Sequence, residues 1–141
     1  MKILFLCREN VGRSQMAEAL FNLYAEKAGR KDISSISAGT HAETYDHFGK
    51  PIRPMIPASL AEDPYMLNIS QNISKQDTKE MLEDVDKIVM MAKPELLPKF
   101  FKNNSKLEFW KTPDMKNTDM SKHREVRENI REKVEALIAK L

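Results

Sequence analysis

The chain's one cysteine, Cys7, stands where the apolar run Ile3 to Leu6 ends, and Arg13 and Ser14 close the stretch C-R-E-N-V-G-R-S that follows. That order of residue types suits oxyanion chemistry. A loop between a strand and a helix turns consecutive backbone N–H groups inward, and the helix start adds positive potential, so the joint attracts anions. The same setting, reinforced by Arg13, favours the thiolate form of a cysteine. The planar fork of Arg13 matches two oxygens of a tetrahedral guest. Asn10 and Gly12 tolerate the left-handed backbone that a cradle asks for, and Ser14 has a hydroxyl to offer the sulfur. With a phosphate-like group seated there, Cys7 lies beneath its central atom and attacks in line, forming a thiophosphate. Arg13 and the loop amides then hold the equatorial oxygens. A lone cysteine after an apolar strand is usually a small core residue, but C-x5-R at a strand-to-helix joint argues for the chemical reading. A Walker-type phosphate loop is excluded, because G-x4-G-K-[ST] is absent.

Which elements hold such a loop? Residues 2–6 (KILFL) form an apolar run too short for a helix and predict a buried strand. From about Arg13 to Ala28, Met16, Ala17, Leu20, Phe21 and Tyr24 recur at helical spacing, with Gly29 as the stop. ISSIS (33–37) predicts a second strand, closed by the turn-prone A-G-T. His41 to Leu67, with prolines at 51, 54, 57 and 64, is expected to be surface loop with at most one short helix, an excursion more suited to shaping a site than to folding. KQDTKEMLEDV predicts a short helix capped by Asp77 or Thr78, with Glu80 or Met81 in its first turn. DKIVMMA predicts a third strand, KPELLPKFF a short helical segment and KLEFW (106–110) a fourth strand. A long amphipathic helix starts near Ser121, its stripe made of Val126, Ile130, Val134, Leu137 and Leu141. Alternating strands and helices imply right-handed crossovers and a four-stranded parallel sheet with helices on both faces. Ligands bind beyond the carboxyl ends of such strands, where Cys7 and the loops after Ser37, Met91 and Trp110 fall.

Bulk composition narrows the partners. The 141 residues suit a single domain, 1–141, with 41% hydrophobic and 31% charged residues. A net charge of +2 gives no case for a nucleic-acid or membrane partner. The basic residues near the end (Lys122, Arg124, Arg127, Arg131, Lys133) alternate with Glu125, Glu128, Glu132 and Glu135, as on a solvated helix face. One cysteine forms no internal disulfide, which fits a reducing, cytoplasmic setting. The apolar run before Arg8 is too short for a secretory core. His41, His47 and His123 lack metal-ligand spacing, so solvated or turn roles are expected. No metal or cofactor is called for, and the nine methionines, Met90 and Met91 among them, are expected to fill core.

The stretch LCRENVGRSQMAEA resembles the opening of the low molecular weight protein tyrosine phosphatase family and its arsenate-reductase relatives, which place C-x5-R at the extreme N-terminus and continue R-S-x-x-A-E. SAGT, ISKQDT and WKTPDM resemble the family in order and spacing, so the resemblance covers essentially the whole chain. It implies a phosphatase I-like, flavodoxin-like three-layer sandwich, working as a monomer. It also implies hydrolysis of a phosphorylated protein or small phosphomonoester through a cysteinyl phosphate, and affinity for phosphate- and sulfate-type oxyanions. Cys7 and Arg13 take the catalytic positions; Arg8, Glu9, Asn10, Val11, Gly12 and Ser14 line the substrate. Expelling an alkoxide needs a general acid, which the family draws from a late loop. Asp114 in FWKTPDM fits by position, since that loop returns to the sheet end carrying Cys7. Asp63 in EDPY copies a local triplet and is expected to be a turn residue. Ser37 matches a serine that braces the loop asparagine, here Asn10, and Asn72 replaces a bracing histidine.

Departures from the family pattern bear on the substrate. Arsenate reductases of this kind use further cysteines, so here an external thiol is needed to complete that cycle; a catalytically weak oxyanion or phosphopeptide binder is the other alternative. Gly12 stands where the family has a second loop cysteine, so oxidised Cys7 depends on an outside thiol for rescue. Phosphoarginine-type members have a threonine at the position of Val11; valine favours aryl phosphate. No aromatic follows Asp114, leaving Tyr45, His47 or Phe48 to form a wall or simply to pack in their loop. Glu9 replaces a glycine, and its carboxylate repels dianions unless it turns outward to Arg8 or Lys116.

Overall fold

Strand β1 (Lys2–Cys7) is buried from Ile3 onward because it runs down the middle of the sheet, and a strand covered on both faces has no polar side to alternate with. The structure, a computed structural model, describes residues 1–97, 99 and 104–141. Among them, β2 (Ser34–Gly39), β3 (Lys87–Met90) and β4 (Leu107–Phe109) join β1 in a parallel sheet of order β2-β1-β3-β4. Four parallel strands with helices on both faces are the architecture expected from the alternating pattern.

The pleat divides the core. Ile3, Phe5, Val89 and Met91 face helices α1 (Arg13–Lys27), α2 (Met55–Ala61) and α4 (Met120–Lys140), whereas Leu4, Leu6, Ile88 and Met90 face α3 (Lys79–Asp84) through Leu82 and Val85. Phe5 anchors the larger half, its ring 5.8 Å from Phe21 and 5.5 Å from Trp110, separations at which tilted aromatic pairs attract. Helix α1 stops where Gly29 takes φ +68°. Its amide bonds the Glu26 carbonyl and the Arg30 amide bonds the Ala25 carbonyl, the paired closure that a left-handed glycine permits. The cap of α3 is Thr78, whose hydroxyl accepts from the Met81 amide at 3.2 Å. Asp119 caps α4 by accepting from the Lys122 amide at 2.9 Å.

One expectation needs correcting. The proline-rich excursion holds the short helix allowed for, α2, but is not otherwise surface loop: Ile52, Ile56, Leu60 and Tyr65 enter the main core. Prolines at 54 and 57 are tolerated because they sit at the start of a short helix, where backbone N–H groups have no intrahelical partner. The helical segment expected in KPELLPKFF opens with a 3-10 turn, Pro94–Leu96; of the rest, residues 98, 100 and 101 lie outside the described residues. Among the described residues, no helix is long and apolar enough to cross a membrane.

Register sets the stage for the site. Cys7 pairs with Gly39 and Leu6 with Met90, so the carboxyl ends of the strands finish at one edge. There the Met91 amide bonds the Leu6 carbonyl and the Trp110 amide bonds the Met90 carbonyl, each at 2.9 Å.

Candidate active site

Cys7 is buried at the end of β1, and the chain doubles back beneath it. Asn10 adopts φ +59°, a conformation asparagine tolerates better than most residues. Its amide therefore points at the thiol, 3.3 Å from Cys7 Sγ. Ser14 Oγ lies 3.0 Å from the same sulfur. Both are groups that stabilise negative charge on sulfur.

The side chain of Asn10 organises the floor. Its Nδ2 donates to Ser14 Oγ at 2.8 Å and to Ser37 Oγ at 3.0 Å. Its Oδ1 accepts from the Lys75 amide at 2.8 Å and from Gln15 Nε2 at 3.0 Å. Ser37 is thus hydrogen-bonded to the loop asparagine. Asn72 supports Asn10 indirectly: its Nδ2 donates to Gln15 Oε1 at 3.1 Å, and Gln15 carries the support onward. Ser37 in turn donates to Glu18 Oε2 at 3.2 Å. Burial pushes the Glu18 carboxyl above its ordinary value, against the pull of Lys75 and Ser37.

Gly39 and Gly12 matter for space. A Cβ on Gly39 would sit 2.7 Å from the Arg8 carbonyl oxygen and 2.9 Å from the Asn10 nitrogen, so only glycine lets β2 pass this close to the loop. Gly12 was expected to supply left-handed backbone, yet its φ is −115°. A Cβ there would come within 3.0 Å of Met115 Cε, so the loop and Met115 pack closely at this point. Met115 is buried in the main core, which draws the loop carrying Asp114 down against the phosphate-type loop. Position 115 therefore gives the rim no aromatic platform. Val11 is likewise buried in the core.

Arg13, at the first turn of α1, is fixed through Nη1, which donates to the Met91 carbonyl at 2.7 Å and the Thr112 carbonyl at 3.2 Å. The guanidinium fork has further donors for a guest. Arg8, Arg13 and Asp114 border one cleft of about 620 Å³, floored by Met91, Trp110 and Thr112. Asp114 is exposed, its Oδ1 accepting from the Lys116 amide at 3.2 Å. The structure thus brings Arg13 and Asp114 to one cleft. Asp63 is exposed in the turn after α2.

The rim differs from expectation. Glu9 turns inward, its side chain only 10% exposed, and lies 3.6 Å from both His47 Nε2 and Lys116 Nζ. Of the two anticipated partners, Lys116 meets it, whereas the Arg8 guanidinium lies over the Tyr45 ring, 5.9 Å from the centroid. His47 lies in a turn, as expected, and its ring stacks on Tyr45 at 5.3 Å and meets Glu9. His123 departs from the expectation: it is buried in α4, with Nδ1 2.7 Å from the Asp119 carbonyl. Phe48 is exposed. Among the described residues, no group of acidic, histidine or cysteine side chains could hold a metal ion.

The supports that sequence reasoning missed are Gln15, Lys75, Glu18, Gly39 and Met115. Gln15 left one trace, a polar residue on the buried side of α1's first turn.

A family model for low molecular weight phosphotyrosine protein phosphatase matches residues 2–141. The chain is 36% identical over 92 residues to a protein-arginine-phosphatase of Bacillus subtilis (strain 168), an alignment spanning 65% of this chain and 56% of that relative. The chain therefore spans little more than half the length of the curated relative it matches. A low molecular weight protein tyrosine phosphatase from T. tengcongensis superposes with TM-score 0.87 at 25% identity, over 100% of this chain and 99% of that one. Vibrio vulnificus Wzb, in complex with benzylphosphonate, has the same fold (TM-score 0.84, 24% identity, 99% and 98% covered).

Proposed function

The chain belongs to the low molecular weight phosphotyrosine protein phosphatase family, and from that premise we propose that it is a protein tyrosine phosphatase working as one domain, 1–141, with Cys7 as nucleophile. The observation that carries this reading is the thiol of Cys7 beneath a turned-back loop, with the Asn10 amide at 3.3 Å and Ser14 Oγ at 3.0 Å. Cys7 Sγ attacks the phosphorus as the bond to the ester oxygen breaks, and Asp114 gives that oxygen a proton. A cysteinyl phosphate remains, held by Arg13 and the loop amides. Asp114, now ionised, takes a proton from water as the water oxygen attacks phosphorus. Inorganic phosphate leaves and the thiolate is regenerated.

Two features support an aryl substrate. Val11 is buried and has no hydrogen-bonding group, and Tyr45 gives the rim an aromatic wall beside Arg8 and Lys116. The likeness to a protein-arginine-phosphatase favours a second reading, phosphoarginine. Arsenate reduction would need an external thiol, because Cys7 is the chain's one cysteine. A phosphorylated protein in a reducing cytoplasm is the proposed setting.

Hydrolysis of p-nitrophenyl phosphate tests the mechanism. Cys7→Ser is expected to lose roughly 10^4-fold or more in kcat, and Asp114→Asn about 10^2- to 10^3-fold. Equal, background signal from all three proteins would leave an oxyanion binder. Phosphotyrosine and phosphoarginine peptides, compared by kcat/KM, separate the two phosphatase readings.

A further inference from the structure

Glu9 Oε1 and His47 Nε2 are buried, and neither has a hydrogen-bond partner among the described residues. They lie 3.6 Å apart. A buried carboxylate oxygen left this way costs stability, and its charge lies in the loop meant to attract a dianion. What, then, does it hold?

Three segments meet at that one oxygen. Glu9 belongs to the loop after β1. Lys116 Nζ reaches Glu9 Oε1 at 3.6 Å, while the backbone amide of Lys116 donates to Asp114 Oδ1 at 3.2 Å. One residue thus holds Asp114 by its amide and Glu9 by its ammonium. From the other side His47 reaches Glu9 with its ring stacked on Tyr45, and Lys116 Nζ also lies 5.3 Å from the Tyr45 centroid.

We propose that Glu9 is a positioning residue: through Lys116 it holds the loop of Asp114 against the cradle, and it gives up anion affinity to do so. The inference rests on the proposed role of Asp114 as acid. Asp114 is exposed, so little besides its own backbone fixes it, and an ion pair between its loop and the phosphate-binding loop restricts where its carboxyl can point. The carboxylate also belongs to the loop that is to cradle the guest, so neutralising it is expected to act on binding and on proton transfer with opposite sign.

The test uses Glu9→Gln, which keeps shape and removes charge, on the full chain with an aryl phosphate series from p-nitrophenyl to phenyl phosphate. A displaced acid matters more as the leaving group worsens. The variant's kcat relative to wild type is expected to fall about 10-fold further for phenyl than for p-nitrophenyl phosphate. Inorganic phosphate is expected to inhibit it about 3-fold more tightly. Lys116→Met is expected to reproduce the leaving-group effect without the gain in phosphate affinity, and the double variant to add no further loss in kcat. Amide exchange in residues 112–118, measured without substrate, is expected to quicken several-fold in Glu9→Gln while β1 and α1 stay protected. Unchanged leaving-group dependence together with unchanged exchange overturns the proposal. Should wild type hydrolyse none of the esters, the phosphatase reading falls, and the exchange comparison alone decides whether Glu9 holds the loop.

Discussion

Around Asn10 the structure gives each side-chain polar atom two partners: Nδ2 serves Ser14 and Ser37, and Oδ1 serves Lys75 and Gln15. One residue earlier, Glu9 is nearly as buried, yet its Oε1 has no hydrogen bond among the described residues and faces His47 and Lys116 at 3.6 Å. Neighbours in sequence, they meet opposite conditions. The floor under Cys7 is closed and satisfied, so its geometry is preset before a guest arrives, as electrostatic catalysis requires. The rim is held by longer, charged contacts whose partners sit on separate loops. Adjacent residues can therefore divide the work, one fixing where the nucleophile points and the other adjusting how firmly the second loop closes.

Breaking the floor is expected to have the largest consequence. Asn10→Ala strands the Lys75 amide, takes one partner each from Ser14, Ser37 and Gln15, and forces alanine into φ +59°. Thermal or urea unfolding is expected to register a loss of about 3 kcal/mol, with kcat falling about 10^2-fold as the loop loses its shape. A loss as small as a surface substitution causes would show that the floor is not a prebuilt unit.

A gentler probe lies one layer below. Burial raises the Glu18 carboxyl above its ordinary value of 4.5, so the folded state holds this proton more tightly than the unfolded chain does. The neutral form is the favoured one. Stability from this group is fully present below about pH 4.5 and declines as pH rises through the elevated folded value. Glu18→Gln, which cannot titrate, is expected to melt slightly higher than wild type at neutral pH, with the gap closing below pH 4.5. Melting curves across that range check the sign; a gap that widens on acidification would mean that Lys75 and Ser37 outweigh burial.

Legibility followed the same division. Cys7 and Arg13 could be placed at the end of the sheet from residue types at a fixed spacing, Ser37 was marked by the family resemblance alone, and β1 could be read because an apolar run bounded by charge admits few alternatives. Asn72 showed only as a substitution, since its service to Asn10 passes through Gln15 on another element. Gly12 was misread for a physical reason: a glycine in a loop suggests a left-handed φ, but here φ is −115° and the residue packs closely against Met115. The inward turn of Glu9 was hidden because it depends on His47 and Lys116 arriving from distant segments.

Because Cys7 is the chain's one cysteine, a single measurement addresses the central claim that its thiol lies under an oxyanion cradle gripped by Arg13. The rate of alkylation by iodoacetate, followed by mass spectrometry, should fall saturably as inorganic phosphate is added, with the protection lost in Arg13→Ala. Alkylation that phosphate leaves unchanged, or protection that survives removal of Arg13, would contradict it.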